Sequence, residues 1–219
     1  MKICAIIITH NHEDIISDLV LRCRHALEPD VLLLDARSTV ETLARAASAG
    51  AIVLDSERGE GDSLINRGLK AALELDYSHA VLVWAHRSDI CIPEEIPRLV
   101  NTAWNRPDGI IIGVDENGRG NLWTSLSALR PLGAQTSGFR LYPIEETLAL
   151  QCREEGHAFD AESLVRASWA GIPTAPVPVN TRPSTPSLQK PLFGQLERRL
   201  LLGMLRRLPR LLMRRLAEI

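Results

Sequence analysis

Residues 3–9 read Ile-Cys-Ala-Ile-Ile-Ile-Thr, an apolar run that passes directly into the polar stretch His-Asn-His-Glu at 10–13. An apolar run without polar alternation is typical of a strand that is buried on both faces of a parallel sheet. Comparable runs occur at 31–34, 51–54, 80–85 and 110–112. Each of them is predicted to be a buried strand.

Stretches with helical spacing separate these strands. Apolar residues recur at intervals of three or four over 13–27, 39–49, 62–75 and 94–104, and two further helices are predicted at about 143–154 and 160–170. Regular alternation of strand and helix predicts an α/β fold with a doubly wound, mostly parallel sheet and helices on both faces. The ligand crevice of such a sheet lies at the carboxyl ends of its strands.

Glycine and proline mark the less regular parts of the chain. Residues 133–140 are predicted to form a turn that enters a short element. The segment 173–191 contains six prolines, which predicts either a linker or a strand followed by a linker. We therefore divide the chain into a domain at 1–181, a proline-rich linker at 182–191 and a helical tail at 192–219.

The charge of the 219-residue chain is divided unevenly. Residues 1–181 carry 16 Lys and Arg against 25 Asp and Glu, whereas residues 182–219 carry 9 against 2. In the tail, leucines follow one side of a predicted helix and arginines another, and Pro209 is expected to kink that helix. This pattern is typical of an amphipathic helix lying on an anionic membrane surface. Packing on the domain or on a second copy of the chain is the alternative, so a homo-oligomer remains open.

Composition excludes other classes of protein. With 45% hydrophobic and 24% charged residues the chain is expected to be globular, and no apolar run approaches the roughly 20 residues that span a bilayer. Nucleic acid is not an expected partner, because aromatic residues do not interleave with the basic ones of the tail. The four cysteines are scattered without a Cys-x-x-Cys pair, which favours a reducing compartment. We predict a cytoplasmic protein that is peripheral on the cytoplasmic face of a membrane.

Polar residues follow the predicted strands in an ordered set of motifs. The chain has Ile-Ile-Ile-Thr-His-Asn-His-Glu at 6–13, Leu-Leu-Leu-Asp-Ala-Arg-Ser-Thr at 32–39 and Arg-Gly-Glu-Gly at 58–61. Later it has Thr-Ser-Gly-Phe-Arg-Leu-Tyr at 136–142 and Phe-Asp-Ala-Glu at 159–162. Together these motifs resemble the family-2 nucleotide-sugar glycosyltransferases, particularly the dolichol- and polyprenol-phosphate sugar transferases. The early motifs are similar to that family's Pro-Thr-Tyr-Asn-Glu, Val-Val-Asp-Asp-Gly-Ser-Thr-Asp and Gly-Lys-Gly, and the late ones resemble its acceptor-side half.

The resemblance implies a GT-A fold with a nucleotide-sugar site at the strand ends. Asp35 would accept hydrogen bonds from ribose hydroxyls or a base N–H, and Thr9 and Asn11 would line the base pocket. Glycines would let the backbone approach the phosphates closely. Helix capping is an alternative role for Asp35 and Ser38. The predicted contacts of the nucleotide sugar are Thr9, Asn11, Asp35, Ser38, Gly59, Gly61, His86, Ser137 and Gly138.

The family's metal-binding Asp-x-Asp is absent from the corresponding place, where the chain has His86, Arg87, Ser88 and Asp89. Alignment puts either His86 and Ser88 or Trp84 and His86 on the two aspartate positions, so the metal ligands stay unknown. Mg²⁺ and Mn²⁺ prefer oxygen ligands, so the loss of both carboxylates predicts weak metal binding, and no cofactor is counted as certain. Arg87 offers a guanidinium that could neutralise the diphosphate instead, or it is a solvated loop residue.

Two histidines need a separate interpretation. His10 and His12 are two positions apart at the end of the first strand, where period-2 geometry could point both to one face as metal ligands if the strand continues. Capping or lining of the pocket is the favoured alternative.

Residues predicted to act in catalysis are Arg87, Asp89, Arg140 and Glu162. Arg140 could bind a lipid phosphate, or form an ion pair with Glu145 or Glu146. Glu162 could contact the acceptor, or its negative charge could interact favourably with the helix dipole near the start of a helix.

The resemblance implies a function in sugar transfer. The sugar would move from a nucleotide diphosphate to a lipid-linked or other membrane acceptor, by direct displacement with inversion at the anomeric carbon. The chain departs from the family's donor site at Ala36 and Glu60, so a catalytically inactive scaffold that binds a membrane or a partner enzyme is the alternative. A nucleotidyltransferase, which shares the layered sheet, is a third interpretation.

Overall fold

The structure, a computed structural model, describes residues 1–27, 30–54, 63–87, 92–114 and 139–180. The strands are β1 (Ile3–Thr9), β2 (Asp30–Asp35), β3 (Ile52–Leu54), β4 (His79–Trp84), β5 (Ile110–Val114), β6 (Arg140–Pro143) and β7 (Thr174–Pro178). The helices are α1 (Ile16–Leu27), α2 (Val40–Ser48), α3 (Leu64–Glu74), α4 (Ile96–Asn105), α5 (Ile144–Ala149) and α6 (Gly156–Ala170). A short 3₁₀ turn, Ala85–Arg87, follows β4, and another, Pro93–Glu95, precedes α4. Among the described helices, none combines the length and hydrophobicity needed to cross a bilayer.

Strand order within the described residues is β3-β2-β1-β4-β6-β5-β7. The strands from β3 to β4 are mutually parallel, β6 is antiparallel to both of its neighbours, and β5 is parallel to β7. Nearly every residue of β1, β2 and β4 is buried, as the continuous apolar runs predict. Helices cover the sheet: α1 packs against α2 and α4, and α3 packs against β2 and α5. The predicted doubly wound, mostly parallel α/β fold is confirmed.

One strand, β6, begins at Arg140, the last residue of the turn predicted at 133–140, and corresponds to the short element that this turn was expected to enter. Its sequence, Arg-Leu-Tyr-Pro, lacks the apolar continuity of the other strands. The strand is nonetheless fully buried between β4 and β5, because the polar atoms of Arg140 and Tyr142 find partners on α6. Buried polar groups are tolerated when they are hydrogen-bonded to each other, and a hydrophobicity pattern does not detect such pairs.

Two further boundaries differ from the expectation. Thr174–Pro178 forms a strand despite two prolines, because β7 is at the edge of the described sheet and both prolines are on its exposed side. This agrees with the alternative of a strand followed by a linker, but the linker at 182–191 and the tail at 192–219 lie outside the described residues. The helix predicted at 143–154 ends at Ala149, and α6 begins at Gly156, with a loop at 150–155 between them.

Candidate functional site

Parallel pairing brings the carboxyl ends of β2, β1 and β4 together at one edge of the sheet. Thr9 is the register partner of Asp35, and Ile8 is that of Trp84. The segments that follow these strands, at 10–12, 36–39 and 85–87, therefore meet at the same edge. This is where the crevice of a doubly wound sheet is expected. We call the three strand ends and these segments the carboxyl edge.

Hydrogen bonds interlock the segments after β1 and β2. The backbone N–H of Asn11 donates to Ser38 Oγ (3.0 Å), and Asn11 Oδ1 accepts from the backbone N–H of Thr39 (2.9 Å). The backbone N–H of Ala36 donates to the Thr9 carbonyl oxygen (2.9 Å). Asn11 has a φ of 54°, a left-handed conformation that asparagine adopts more readily than most residues. Asn11 and Ser38, both predicted nucleotide contacts, thus also fix the shape of the carboxyl edge.

Asp35 is only 7% exposed at the end of β2. Its Oδ1 accepts the backbone N–H of Ser38 (2.8 Å), and its Oδ2 makes no hydrogen bond to any residue that the structure describes. The N-cap of α2 is Thr39, whose Oγ1 accepts the backbone N–H of Thr42 (3.3 Å). The helix-capping alternative for Asp35 and Ser38 is therefore wrong, and one oxygen of Asp35 instead fixes the turn before α2. The other oxygen is available to a ligand hydroxyl or N–H.

Aromatic rings gather at the ends of β1 and β4. His12 and His86 are stacked with their ring centroids 6.4 Å apart, and Trp84 meets His86 edge-on with centroids 5.7 Å apart. Because β1 ends at Thr9, the two histidines after it do not share a strand face: His10 bonds to the segment after β2, whereas His12 bonds back to Thr9. The interpretation as a metal-ligating pair is therefore wrong. In the described part of the chain no group of three His, Cys, Asp or Glu residues is placed to hold a metal ion.

Arg140, a predicted catalytic residue, lies inside the fold. Its side chain is 1% exposed, and Nη1 donates to the Tyr142 hydroxyl (3.3 Å) and to the Asp160 carbonyl oxygen. The Asp160 carboxylate lies 3.8 Å from the guanidinium and accepts the Tyr142 hydroxyl (3.1 Å). Burial raises the pKa of Tyr142, which keeps that hydroxyl protonated. Among the described residues the acidic partner of Arg140 is thus Asp160, and the expected ion pair with Glu145 or Glu146 is wrong. A side chain this deeply buried also has almost no surface with which to contact a lipid phosphate.

Glu162, another predicted catalytic residue, is likewise engaged within the protein. Its Oε2 accepts the backbone N–H groups of Arg153 (2.8 Å) and Glu154 (2.9 Å), and its Oε1 accepts Nε–H of Arg166 (2.7 Å). Oε2 of this buried carboxylate therefore holds the loop at 150–155 directly, and Oε1 holds Arg166, whose Nη1 donates to the Leu150 carbonyl oxygen (3.1 Å). Because α6 already begins at Gly156, Glu162 lies beyond the first helical turn, and the helix-dipole alternative is wrong.

The loop at 150–155 docks on the N-terminus of α3. The backbone N–H of Leu64 donates to Glu155 Oε1 (2.7 Å), and Asn66 Nδ2 donates to a carbonyl oxygen of the loop (2.6 Å). Ser63 Oγ caps the helix by accepting the backbone N–H of Asn66 (3.2 Å). The loop is therefore fixed to the N-terminus of α3 by two hydrogen bonds. Sequence reasoning missed this contact, because it gave residues 150–154 to a helix.

Several predicted site residues lie outside the described residues: Gly59, Gly61, Ser88, Asp89, Ser137 and Gly138. For Arg87 the structure describes the backbone alone, in the 3₁₀ turn after β4. The roles of these residues stay predictions. Of the predicted residues that are described, Thr9, Asn11, Asp35, Ser38 and His86 come together at the carboxyl edge, whereas Arg140 binds Tyr142 and Asp160 and Glu162 binds the loop at 150–155 and Arg166.

Comparison with known proteins gives a structural likeness without a sequence match. No protein family model and no curated protein sequence matches the chain. A crystal structure of glucosyl-3-phosphoglycerate synthase from Mycobacterium tuberculosis is similar with a TM-score of 0.67 and 18% identity, over 93% of this chain and 79% of that one. A cytidylyltransferase from Leptospira borgpetersenii is similar with a TM-score of 0.55 and 15% identity, over 84% of this chain and 79% of that one.

These likenesses establish a GT-A-like nucleotide-sugar transferase fold, and at such identities they establish the fold alone. A further structure of the same synthase, with a TM-score of 0.64 and 18% identity over 93% of this chain and 77% of that one, contains Mn²⁺, uridine diphosphate and phosphoglyceric acid. The fold also occurs in a cytidylyltransferase. The choice between sugar transfer and nucleotidyl transfer therefore depends on the site.

Proposed function

We propose that this protein is a glycosyltransferase that moves a sugar from a nucleotide diphosphate to a lipid-linked or otherwise membrane-associated acceptor. The observation that carries the proposal is the carboxyl edge, where Thr9, Asp35 and His86 come from three neighbouring strand ends. Convergent polar groups at this edge are what a nucleotide site of a doubly wound sheet requires. A uridine diphosphate bound by a synthase of the same fold supports this ligand class.

The donor is bound by hydrogen bonds, and the described residues do not by themselves provide a divalent metal site. The available Oδ2 of Asp35 accepts from the ribose or the base. Mg²⁺ and Mn²⁺ need several oxygen ligands, and beyond β4 the described residues place the His86 imidazole, which lies against His12. N–H donors at this edge would contribute to meeting the negative charge of the diphosphate, with Arg87 as the cationic candidate.

The reaction is a direct displacement. An oxygen of the acceptor phosphate forms a bond to the anomeric carbon on the side opposite to the diphosphate. The bond between that carbon and the diphosphate oxygen breaks, and the nucleoside diphosphate leaves with the electron pair, so the configuration inverts. An ionised phosphate needs no strong general base, in contrast to a sugar hydroxyl. This acceptor class suits a site in which Glu162 is engaged in holding a loop.

The acceptor is assigned to a membrane because of the basic tail. Residues 192–219 combine leucines with arginines at helical spacing, and such a segment binds anionic lipid. An enzyme held at the cytoplasmic face of a membrane in this way reaches an acceptor that is embedded in lipid. The polyprenol-phosphate class, the peripheral location and the homo-oligomer that the tail could support belong to the proposal.

A second candidate function is that of an inactive relative that binds a membrane or a partner enzyme. Its specific support is that Arg140 and Glu162, half of the predicted catalytic group, are engaged inside the protein. In this case the carboxyl edge holds no donor, and the tail alone carries the function.

Titration calorimetry with UDP-, GDP- and dTDP-linked sugars, with Mn²⁺ or with EDTA, separates the two candidates. We expect a member of the panel to bind, and Asp35→Asn to weaken that binding about tenfold, since the amide keeps an oxygen for the Ser38 N–H but loses the charged acceptor. Asp30→Asn, at the opposite end of β2, is the matched control and leaves affinity unchanged. Failure of every donor to bind contradicts sugar transfer and favours the inactive relative. Release of nucleoside diphosphate on addition of polyprenol phosphate in vesicles then tests the acceptor class.

A further inference from the structure

The hydrogen bonds around His10 assign its ring proton. His10 Nδ1 lies 2.7 Å from the carbonyl oxygen of Ala36. A carbonyl oxygen can only accept, so Nδ1 carries the proton and donates it. In the neutral form of the ring, the other nitrogen, Nε2, is then an acceptor and carries no N–H.

His12 has the opposite arrangement. The backbone N–H of His10 points at His12 Nδ1 (3.3 Å), and the Thr9 hydroxyl oxygen is also 3.3 Å from that nitrogen. A backbone N–H can only donate, so Nδ1 holds no proton, and the Thr9 hydroxyl donates to it as well. The single ring proton of His12 is thus on Nε2. This Nε2–H makes no hydrogen bond to any residue that the structure describes, and the ring is only partly buried.

We propose that His12 is a binding residue whose neutral Nε2–H donates to an oxygen of the donor's diphosphate. The proposal rests on the proposed function and adds one contact to it. His12 is held in one tautomer by two donors, so its N–H is ready before the ligand arrives. A preorganised donor costs little to bring to a charged oxygen, and hydrogen bonds to charged groups are the stronger ones.

We assign the His12 contact to the diphosphate and not to the base because the His12 ring lies beside the segment that follows β4. Its ring is stacked 6.4 Å from that of His86, in the segment after β4, whereas Asp35 and His10 belong to the β2 side of the carboxyl edge. The segment after β4 is the place where the resemblance implies that the diphosphate and its metal lie. In this chain an imidazole N–H therefore stands beside that position, and the contact needs no metal ion.

The test measures the affinity of the protein for UDP and for uridine, and for GDP and for guanosine, by calorimetry in EDTA. The gain in affinity that the diphosphate confers is the ratio of the affinity for the nucleotide to that for the nucleoside. His12→Phe keeps a ring against His86 but removes the N–H, and His12→Gln restores an N–H at about the same reach. We expect His12→Phe to reduce the gain in affinity that the diphosphate confers by about tenfold or more, with nucleoside affinity unchanged, and His12→Gln to recover most of that gain. His25→Phe, the same change at an exposed histidine in the last turn of α1, is the matched control and leaves the gain intact.

Each of the other outcomes contradicts either the His12 contact alone or the proposed function as well. If the wild-type protein binds nucleoside diphosphates and His12→Phe binds them equally well, the contact is wrong and the proposed function stands. If His12→Phe loses nucleoside and nucleotide binding alike, the histidine serves only the shape of the edge. If the wild type binds none of these ligands in EDTA but binds a member of the donor panel with Mn²⁺, the metal-free contact is wrong and the proposed function stands, whereas failure to bind any donor with or without Mn²⁺ overturns both proposals. Nitrogen NMR of ¹⁵N-histidine-labelled protein gives an independent readout: the proton must be on Nε2 of His12 and on Nδ1 of His10, and the reverse for His12 contradicts the proposal.

Discussion

Arg140 is the side chain whose loss we expect to destabilise the protein most directly. Replacing it with Met removes one member of a buried ion pair and leaves the Asp160 carboxylate, 6% exposed, without this cation. Breaking a buried pair in this way costs about 3–5 kcal/mol. The free energy of unfolding of Arg140→Met, measured by urea denaturation, should fall by an amount in that range.

The control for this variant is a pair on the surface. Glu41 binds Arg45 on α2 with both side chains about half exposed, and Glu41→Gln should leave the urea midpoint unchanged. A wild-type midpoint in Arg140→Met would contradict the internal role, and would return Arg140 to the candidates for a phosphate contact.

Residues that end strands are found from the sequence more easily than residues that brace loops. Asp35 and His86 were predicted because each follows an apolar run, and the topology of a parallel sheet puts such residues at one edge. Glu162 was assigned to the acceptor or to a helix start, but its partners are backbone N–H groups of a preceding loop. The path of that loop depends on its docking against α3, which no spacing along the chain reveals.

At the level of the elements, the C-terminus of α6 offers a test of backbone conformation alone. Gly171 has a φ of 77°, and a Cβ added there would meet no atom within 4 Å. Gly171→Ala should therefore cost about 1 kcal/mol of unfolding free energy from the left-handed conformation itself, without any clash. Asn tolerates this conformation better, so Gly171→Asn should lose less, and equal losses in the two variants would show that packing is responsible.

Strands β1, β2 and β4 were predictable because burial on both faces leaves a continuous apolar run. β6 was predicted only as a short element of unspecified type, since its burial as a strand depends on hydrogen bonds of Arg140 and Tyr142 to α6, which is distant in sequence. For β7 the sequence left two alternatives, a linker or a strand followed by a linker. Its alternation of buried and exposed residues is that of a strand, but it includes prolines, which only an edge strand accepts. The elements that escape the sequence are thus those whose stability comes from tertiary partners.

For the whole chain, the separation of charge predicts how the protein meets a membrane. Residues 1–181 are acidic in balance and are repelled by an anionic surface, so the basic tail at 192–219 has to supply the attraction. Each basic residue near such a surface contributes about 1 kcal/mol, so replacing four arginines of the full chain by Gln should weaken binding to phosphatidylserine vesicles about a thousandfold at low salt. The replaced residues are Arg199, Arg206, Arg210 and Arg214. Vesicle flotation measures the effect, and the same four changes to Lys should bind as the wild type does. Undiminished flotation of the Gln variant, or equal flotation on neutral phosphatidylcholine, would contradict the electrostatic contribution of the tail, and absence of flotation of the wild type would instead assign the tail to packing on the domain or on a second copy of the chain.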